Sequence, residues 1–207
     1  MNKPHSNIGY DLIASMIPEK SRVLDLGCGD GSLLYRLQNE KKVTGYGVEI
    51  SEDGVSRCVE KGLYCYQADI DEGLTDYRPN SFDYVILNQT IQSTKRPDNL
   101  VREILRIGRR AVISFPNFAH VSIRCQFLTR GTMPKSPMIP YNWYNSPNIH
   151  MVTIHDFYAF CHEEKYPIEK TLHFSITNNG KTRLTRVSPN FLAQYGFFLL
   201  NGEGFTE

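Results

Sequence analysis

The chain carries almost no net charge: 23 lysines and arginines face 22 aspartates and glutamates, a formal +1. So weak a field gives no hold on a nucleic-acid backbone or an anionic membrane, and neither is expected as a partner. Long apolar runs are missing too. No stretch approaches the ~18–20 residues of a membrane-spanning helix. The opening MNKPHSNIGYDLIASMIP lacks the basic start and apolar block of a secretory signal. Cysteine is scarce: Cys28, Cys58, Cys65, Cys125 and Cys161 make an odd set with no C-x-x-C pair. That pattern builds neither a disulfide frame nor a zinc site, so reduced thiols, a cytoplasmic location and no metal are expected. Internal repeats and low-complexity segments are absent. With 207 residues, 41% apolar and 22% charged, one domain spanning 1–207 with a full core is expected.

What is present alternates. Ile8, Leu12, Ile13, Met16 and Ile17 recur at helical spacing, and Pro18 ends that helix. Short apolar runs at 22–26, 43–50, 63–70, 82–87 and 111–115 read as strands, separated by amphipathic stretches such as Leu33, Leu34 and Leu37 or Leu100, Val101, Ile104 and Leu105. Ser51 with Glu52 and Asp53 opens one helix, and Lys61-Gly62 closes it. Thr153-Ile-His-Asp156 resembles a capping box before another. Two late runs, 168–176 and 191–200, flank the turn chemistry of Asn178-Asn179-Gly180. Together these give an α/β, Rossmann-like, seven-stranded and mostly parallel sheet with helices on both faces. Right-handed crossovers bring the strand C-termini to one edge, where ligands of such sheets bind.

The stretch VLDLGCGDG, residues 23–31, opens the question of the ligand. A dinucleotide site wants G-x-G-x-x-G, but position 32 is serine, and no G-K-[ST] follows to make a P-loop. The acids decide. Asp25 inside the first strand would repel a pyrophosphate, yet it suits a ligand carrying an ammonium and a sulfonium. Glu49 ends the second strand, where a carboxylate accepts both ribose hydroxyls. Asp69 ends the third, placed to accept from an adenine amino group. With Gly27, Cys28, Gly29 and Gly31 in the turn, and Ile50 and Ile70 beside the acids, the set favours S-adenosylmethionine (SAM) or S-adenosylhomocysteine (SAH). Each residue also has a plainer reading: glycines that only make a turn, Asp25 as a cap, Asp69 as the start of an acidic loop with Asp71 and Glu72. Asn88 and Gln89 fit two roles equally, contact with the methionine part of the ligand or closure of a strand end. The Asn/Asp-Pro-Pro-Tyr/Phe motif of base-methylating enzymes is replaced by Leu87-Asn88-Gln89-Thr90.

VLDLGCGDG, GVEIS and ADI together resemble the class I SAM-dependent methyltransferase superfamily. LNQTIQSTKRPDNLVREILRIGRRAVISFPNFAHV and MIPYNWYNSPNIH narrow the likeness: the chain from about Arg22 to Cys161 resembles the methionine-biosynthesis protein MetW family. The resemblance implies a class I SAM methyltransferase fold working with homoserine O-acyltransferase (MetX) in methionine synthesis. The alternative is an active SAM-dependent methyltransferase on a small-molecule acceptor, sharing the same site.

The segment 129–150 has no helical or alternating period, yet holds Pro134, Pro137, Pro140 and Pro147 with Tyr141, Trp143 and Tyr144. Long irregular segments with such aromatic density are usually functional. A lid or docking surface is expected, with Tyr141, Trp143, Tyr144 and His150 facing the pocket or a partner. The competing reading packs the aromatics into a satellite core. His150, His155 and His162 lack the spacing of paired helical metal ligands. Arg102, Arg106, Arg109 and Arg110 read as a solvated face at the opposite edge.

Overall fold

The computed structural model describes residues 9–177 and 182–203. A short helix α1 (Tyr10–Met16) precedes strand β1 (Arg22–Leu26), then α2 (Ser32–Lys41), β2 (Thr44–Glu49), α3 (Glu52–Glu60) and β3 (Tyr64–Gln67). β4 (Phe82–Asn88), α4 (Pro97–Ile107), β5 (Gly108–Pro116) and α5 (Val121–Arg130) follow. The chain ends with α6 (Ile154–Glu163), β6 (Ile168–Ile176), β7 (Thr182–Leu184), α7 (Pro189–Leu192) and β8 (Tyr195–Asn201). The strands form one sheet in the order β3-β2-β1-β4-β5-β8-β6-β7. β1 to β5 are mutually parallel, and β8 enters antiparallel between β5 and β6. The architecture is α/β and mostly parallel, as expected.

Strand alternation divides the core. Val23, Ile86, Val112 and Phe197 pack against Leu33, Leu34 and Leu37 of α2 on one face. Leu24, Leu26, Val85, Leu87, Ala111 and Ile113 meet Leu100, Val101, Ile104 and Leu105 of α4 on the other. Every one of these side chains is 4% exposed or less, so truncating any of the leucines or isoleucines among them to alanine costs about 2–5 kcal/mol.

Two expectations are corrected. Among the described residues the sheet has eight strands, not seven. The additional one, β7, is three residues long and wholly exposed, so it carries no apolar alternation to read; short edge strands of this kind resist edge-to-edge pairing. The last strand begins at Tyr195, because Pro189 starts a helical turn that takes Phe191 and Leu192. The expected turn at Asn178-Asn179-Gly180, like Ile8, lies outside the described residues. The arginine cluster is mostly engaged: Arg106 donates to the Leu74 and Tyr77 carbonyls and pairs with Glu103, and Arg110 pairs with Glu169.

Candidate functional site

β1 pairs with β2 on one side and with β4 on the other. The strand order therefore reverses at β1, the place where a crevice opens at the C-terminal edge. The glycine turn leaves β1 at this point. The backbone N–H groups of Gly27 and Cys28 donate to the Val48 carbonyl at 2.8 and 3.1 Å, fastening the turn to β2. Gly29 has φ +60°, and a Cβ there would meet nothing within 4 Å. Its glycine is needed for backbone conformation, and the space beside it stays open.

Glu49 is fixed by this turn. One carboxylate oxygen accepts from the Gly29 N–H at 2.8 Å, the other from Ser51 N–H at 2.9 Å. A Cβ on Gly54, in α3, would come within 2.7 Å of the Glu49 Cγ and 2.9 Å of the Gly29 carbonyl. Helix α3 can approach only because that residue is glycine. Its start is capped as expected, with the Ser51 hydroxyl accepting from Gly54 N–H.

Asp25 is 2% exposed, and its Oδ1 has no hydrogen-bond partner among the described residues. Burial, and then the Glu49 charge, raises its carboxyl pKa to about 7. An unpartnered buried carboxylate oxygen fits an incoming cation, and the plain capping role considered for Asp25 is not what it performs. Tyr10 of α1 is close by: burial first, then Asp25, Asp30 and Cys28, pushes its hydroxyl above the usual range. The first helix thus lies across the turn.

The other expected residues divide. Asp69 caps a 3-10 turn at Ile70–Glu72, accepting from Asp71 N–H at 2.9 Å, and stands 3.7 Å from Lys95 Nζ. Asp69 therefore has a local structural role just beyond the end of β3. Ile50 is 62% exposed, an apolar platform beside Glu49. Ile70 packs partly into the core. The Asn88 Oδ1 accepts from the Ser114 hydroxyl, joining β4 to β5, which is the strand-closing role.

The segment after α5 starts and returns at this same edge. The Ile149 and His150 N–H groups both donate to the Gln92 carbonyl, at 2.8 and 3.0 Å, and Phe118 N–H donates to Val152 O. Met138 and Ile139 are buried beneath it, and Tyr141 is half-buried. Trp143 and Tyr144 are 77% and 70% exposed, stacked edge-on at 5.7 Å. They form no satellite core. His150 Nε2 and Gln92 Oε1 are buried without partners among the described residues.

Sequence reading missed Gln92, Tyr10 and a brace below the turn. Lys61 Nζ donates to the Asp30 carbonyl (2.6 Å), the Asp30 carboxylate (2.9 Å) and the Ser32 hydroxyl (2.9 Å). Burial would raise the Asp30 pKa, but the hydrogen bonds from Lys61 and Ser32 outweigh it and hold the carboxyl below its ordinary value. The D-G-S run was the available signal, since Asp followed by Ser two residues on is a turn pattern. Lys61→Ala is expected to cost about 1 kcal/mol in urea unfolding, a small figure because the pair is partly solvated.

The family described as methionine biosynthesis protein MetW matches residues 8–200. The bifunctional methionine biosynthesis protein MetXA/MetW of Rhodopirellula baltica is 37% identical over 159 residues, which is 72% of this chain and 26% of that protein. The chain thus spans about a quarter of the length of this relative. A SAM-dependent methyltransferase of Thermotoga maritima, described as a possible histamine N-methyltransferase, shares the fold with a TM-score of 0.69 at 15% identity, covering 93% of this chain and 87% of that one. The [4+2]-cyclase SpnF aligns with a TM-score of 0.58 at 20% identity, covering 78% and 58%.

Proposed function

The chain belongs to the methionine biosynthesis protein MetW family, and from that membership we propose that it binds SAM or SAH at the glycine-turn edge and works in association with a homoserine O-acyltransferase of the MetX type. The observation that carries the association is the relative in which a MetXA part and a MetW part are one polypeptide. Parts joined in one chain meet at a high effective concentration, and separate chains must recover that proximity through an interface. The exposed Trp143 and Tyr144 suit such an interface, since tryptophan and tyrosine anchor many of them.

The residues at the edge fit the nucleoside. Asp25 has an unpartnered oxygen for an ammonium, Glu49 stands at the end of β2 for ribose hydroxyls, and the space beside Gly29 is open. SAM, when bound, supplies an activated methyl. Methyl transfer does not follow from the fold, because the same architecture carries the [4+2]-cyclase named above. Binding SAM would instead let the acyltransferase respond to methionine supply, provided that SAM favours one state of the complex.

Co-expression of this chain with a homoserine O-acyltransferase is expected to yield a complex on size exclusion, a raised acyl-transfer rate, and a rate that shifts on adding SAM. No complex and an unchanged rate would refute the association. One observation favours a second reading, methyl transfer to a small acceptor: His150 Nε2, on the segment whose backbone N–H donates to the Gln92 carbonyl, is buried without a partner among the described residues. SAM turnover on a defined acceptor, lost in His150→Gln, would decide for it.

A further inference from the structure

Three cysteines far apart in sequence converge beneath the glycine turn. Cys28 Sγ, on the turn, lies 3.8 Å from Cys58 Sγ on α3 and 3.6 Å from Cys65 Sγ on β3. All three sulfurs lie within 4.8 Å of one another. The sequence pattern, with no C-x-x-C pair, gave no sign of this, because the ligands come from three different elements. Sulfurs ~2.3 Å from a shared centre at tetrahedral angles stand ~3.8 Å apart. The triangle already has nearly that size. Neighbouring glycines leave room for it: a Cβ on Gly47 would strike the Cys28 sulfur at 2.6 Å, and one on Gly31 the Cys58 sulfur at 2.7 Å.

The geometry points to a binding site for a thiophilic, three-coordinate ion held by Cys28, Cys58 and Cys65. No histidine, carboxylate or fourth cysteine joins the group among the described residues, which disfavours zinc and its usual four ligands. Charge chooses between the soft ions that remain. Cys28 and Cys58 are 8% and 0% exposed, and the Asp25 carboxyl acts on Cys28. Copper(I) on three thiolates leaves two negative charges in this interior, where uncompensated charge is costly to bury. A trivalent centre leaves none. Arsenous acid reacts with three thiols so that three As–O bonds break and three As–S bonds form. Each thiol proton departs with one hydroxide as water, and the oxidation state does not change. The entry route is past Cys65, the least buried of the three.

Loading would also be felt at the turn. The Cys58 thiol donates to the Gly29 carbonyl at 3.5 Å, and that bond is given up when the sulfur takes an ion. Neither an acyltransferase partner nor a bound nucleoside is needed to bring the three sulfurs together.

The test is titration of the full chain with arsenite, in a phosphine reductant, followed by native mass spectrometry and ultraviolet sulfur-to-ion absorption. One arsenic per chain with three protons displaced is the expected result. Cys65→Ala and Cys58→Ala should each bind at least tenfold more weakly while circular dichroism shows them folded, and Cys125→Ala should bind unchanged. No binding to the folded parent, two protons displaced instead of three, or loss on Cys125→Ala alone would overturn the site. A parallel titration with copper(I) checks the charge argument: copper held on these sulfurs in preference to arsenite would overturn the trivalent assignment.

Discussion

Asp25→Asn is expected to weaken SAH binding by ~10- to 100-fold while stabilising the ligand-free protein above pH 7. The two effects have one cause. The carboxyl is buried, one of its oxygens has no partner, and its pKa is raised to about 7, by burial before the Glu49 charge. Unfolded, an aspartate titrates near 3.9. The folded state therefore holds a proton that the unfolded state has lost between roughly pH 4 and pH 7. A raised folded pKa gives stability that is present below the unfolded value and lost as pH climbs through the folded one. Asparagine has no charge to bury, so the stability of the variant relative to the parent should rise between pH 4 and 7 and level off above, by a few kcal/mol at most. Ligand binding runs the other way. An ammonium beside the carboxylate favours ionisation, and a charge-assisted bond of this kind is worth ~1.5–3 kcal/mol. Parent affinity should climb with pH up to about 7 and fall once the ligand amine itself loses its proton near ~8. Calorimetry from pH 5 to 9, with urea unfolding of both proteins, reads every part. An affinity in the parent that is flat across pH 5 to 8 would show that Asp25 meets no cation.

Much of this site is legible from the residues because it is written at strand ends. A carboxylate within VLDLG, another closing the second strand and a third at ADI are local features, and parallel topology then brings them to one edge. Features made by contacts between distant elements left no such mark. The Lys61 brace on Asp30 joins the end of α3 to the glycine turn. Tyr10, buried on a helix outside the alternating pattern, feels the Asp25 charge from there. Gln92 is one of several polar residues after β4, and only its burial singles it out. β7 could not be read because its three residues are all exposed. Asp69 shows the converse limit: its position was legible, but the hydrogen bond that makes it a cap belongs to the turn that follows. The aromatic segment was recognisable by composition, whereas the outward facing of Trp143 and Tyr144 depends on Met138 and Ile139 taking the buried places.

Glu49→Ala carries the second large expectation, a ten- to hundred-fold loss of SAM and SAH affinity with a modest loss of stability. The carboxylate already accepts from Gly29 and Ser51 N–H groups, so it is held in place before any ligand arrives. A preorganised acceptor pays little ordering entropy on binding, and its removal is felt nearly in full. Ribose hydroxyls on an ionised acceptor are worth ~1.5–3 kcal/mol, which converts to that range of affinity. The same truncation also strands the Gly29 and Ser51 N–H groups, which water can reach at this half-exposed position, so unfolding should register about 1 kcal/mol. Glu49→Gln separates the two contributions. Its carbonyl oxygen can still accept one backbone bond, so stability should recover more than affinity does. A 2′,3′-dideoxy analogue of SAH supplies the matching change in the ligand. If Glu49 reads the ribose, the analogue should bind the parent as weakly as SAH binds the alanine variant, and the two changes together should cost little more than either alone. Full additivity of the two losses would place the ribose elsewhere and leave Glu49 as a clamp on the glycine turn.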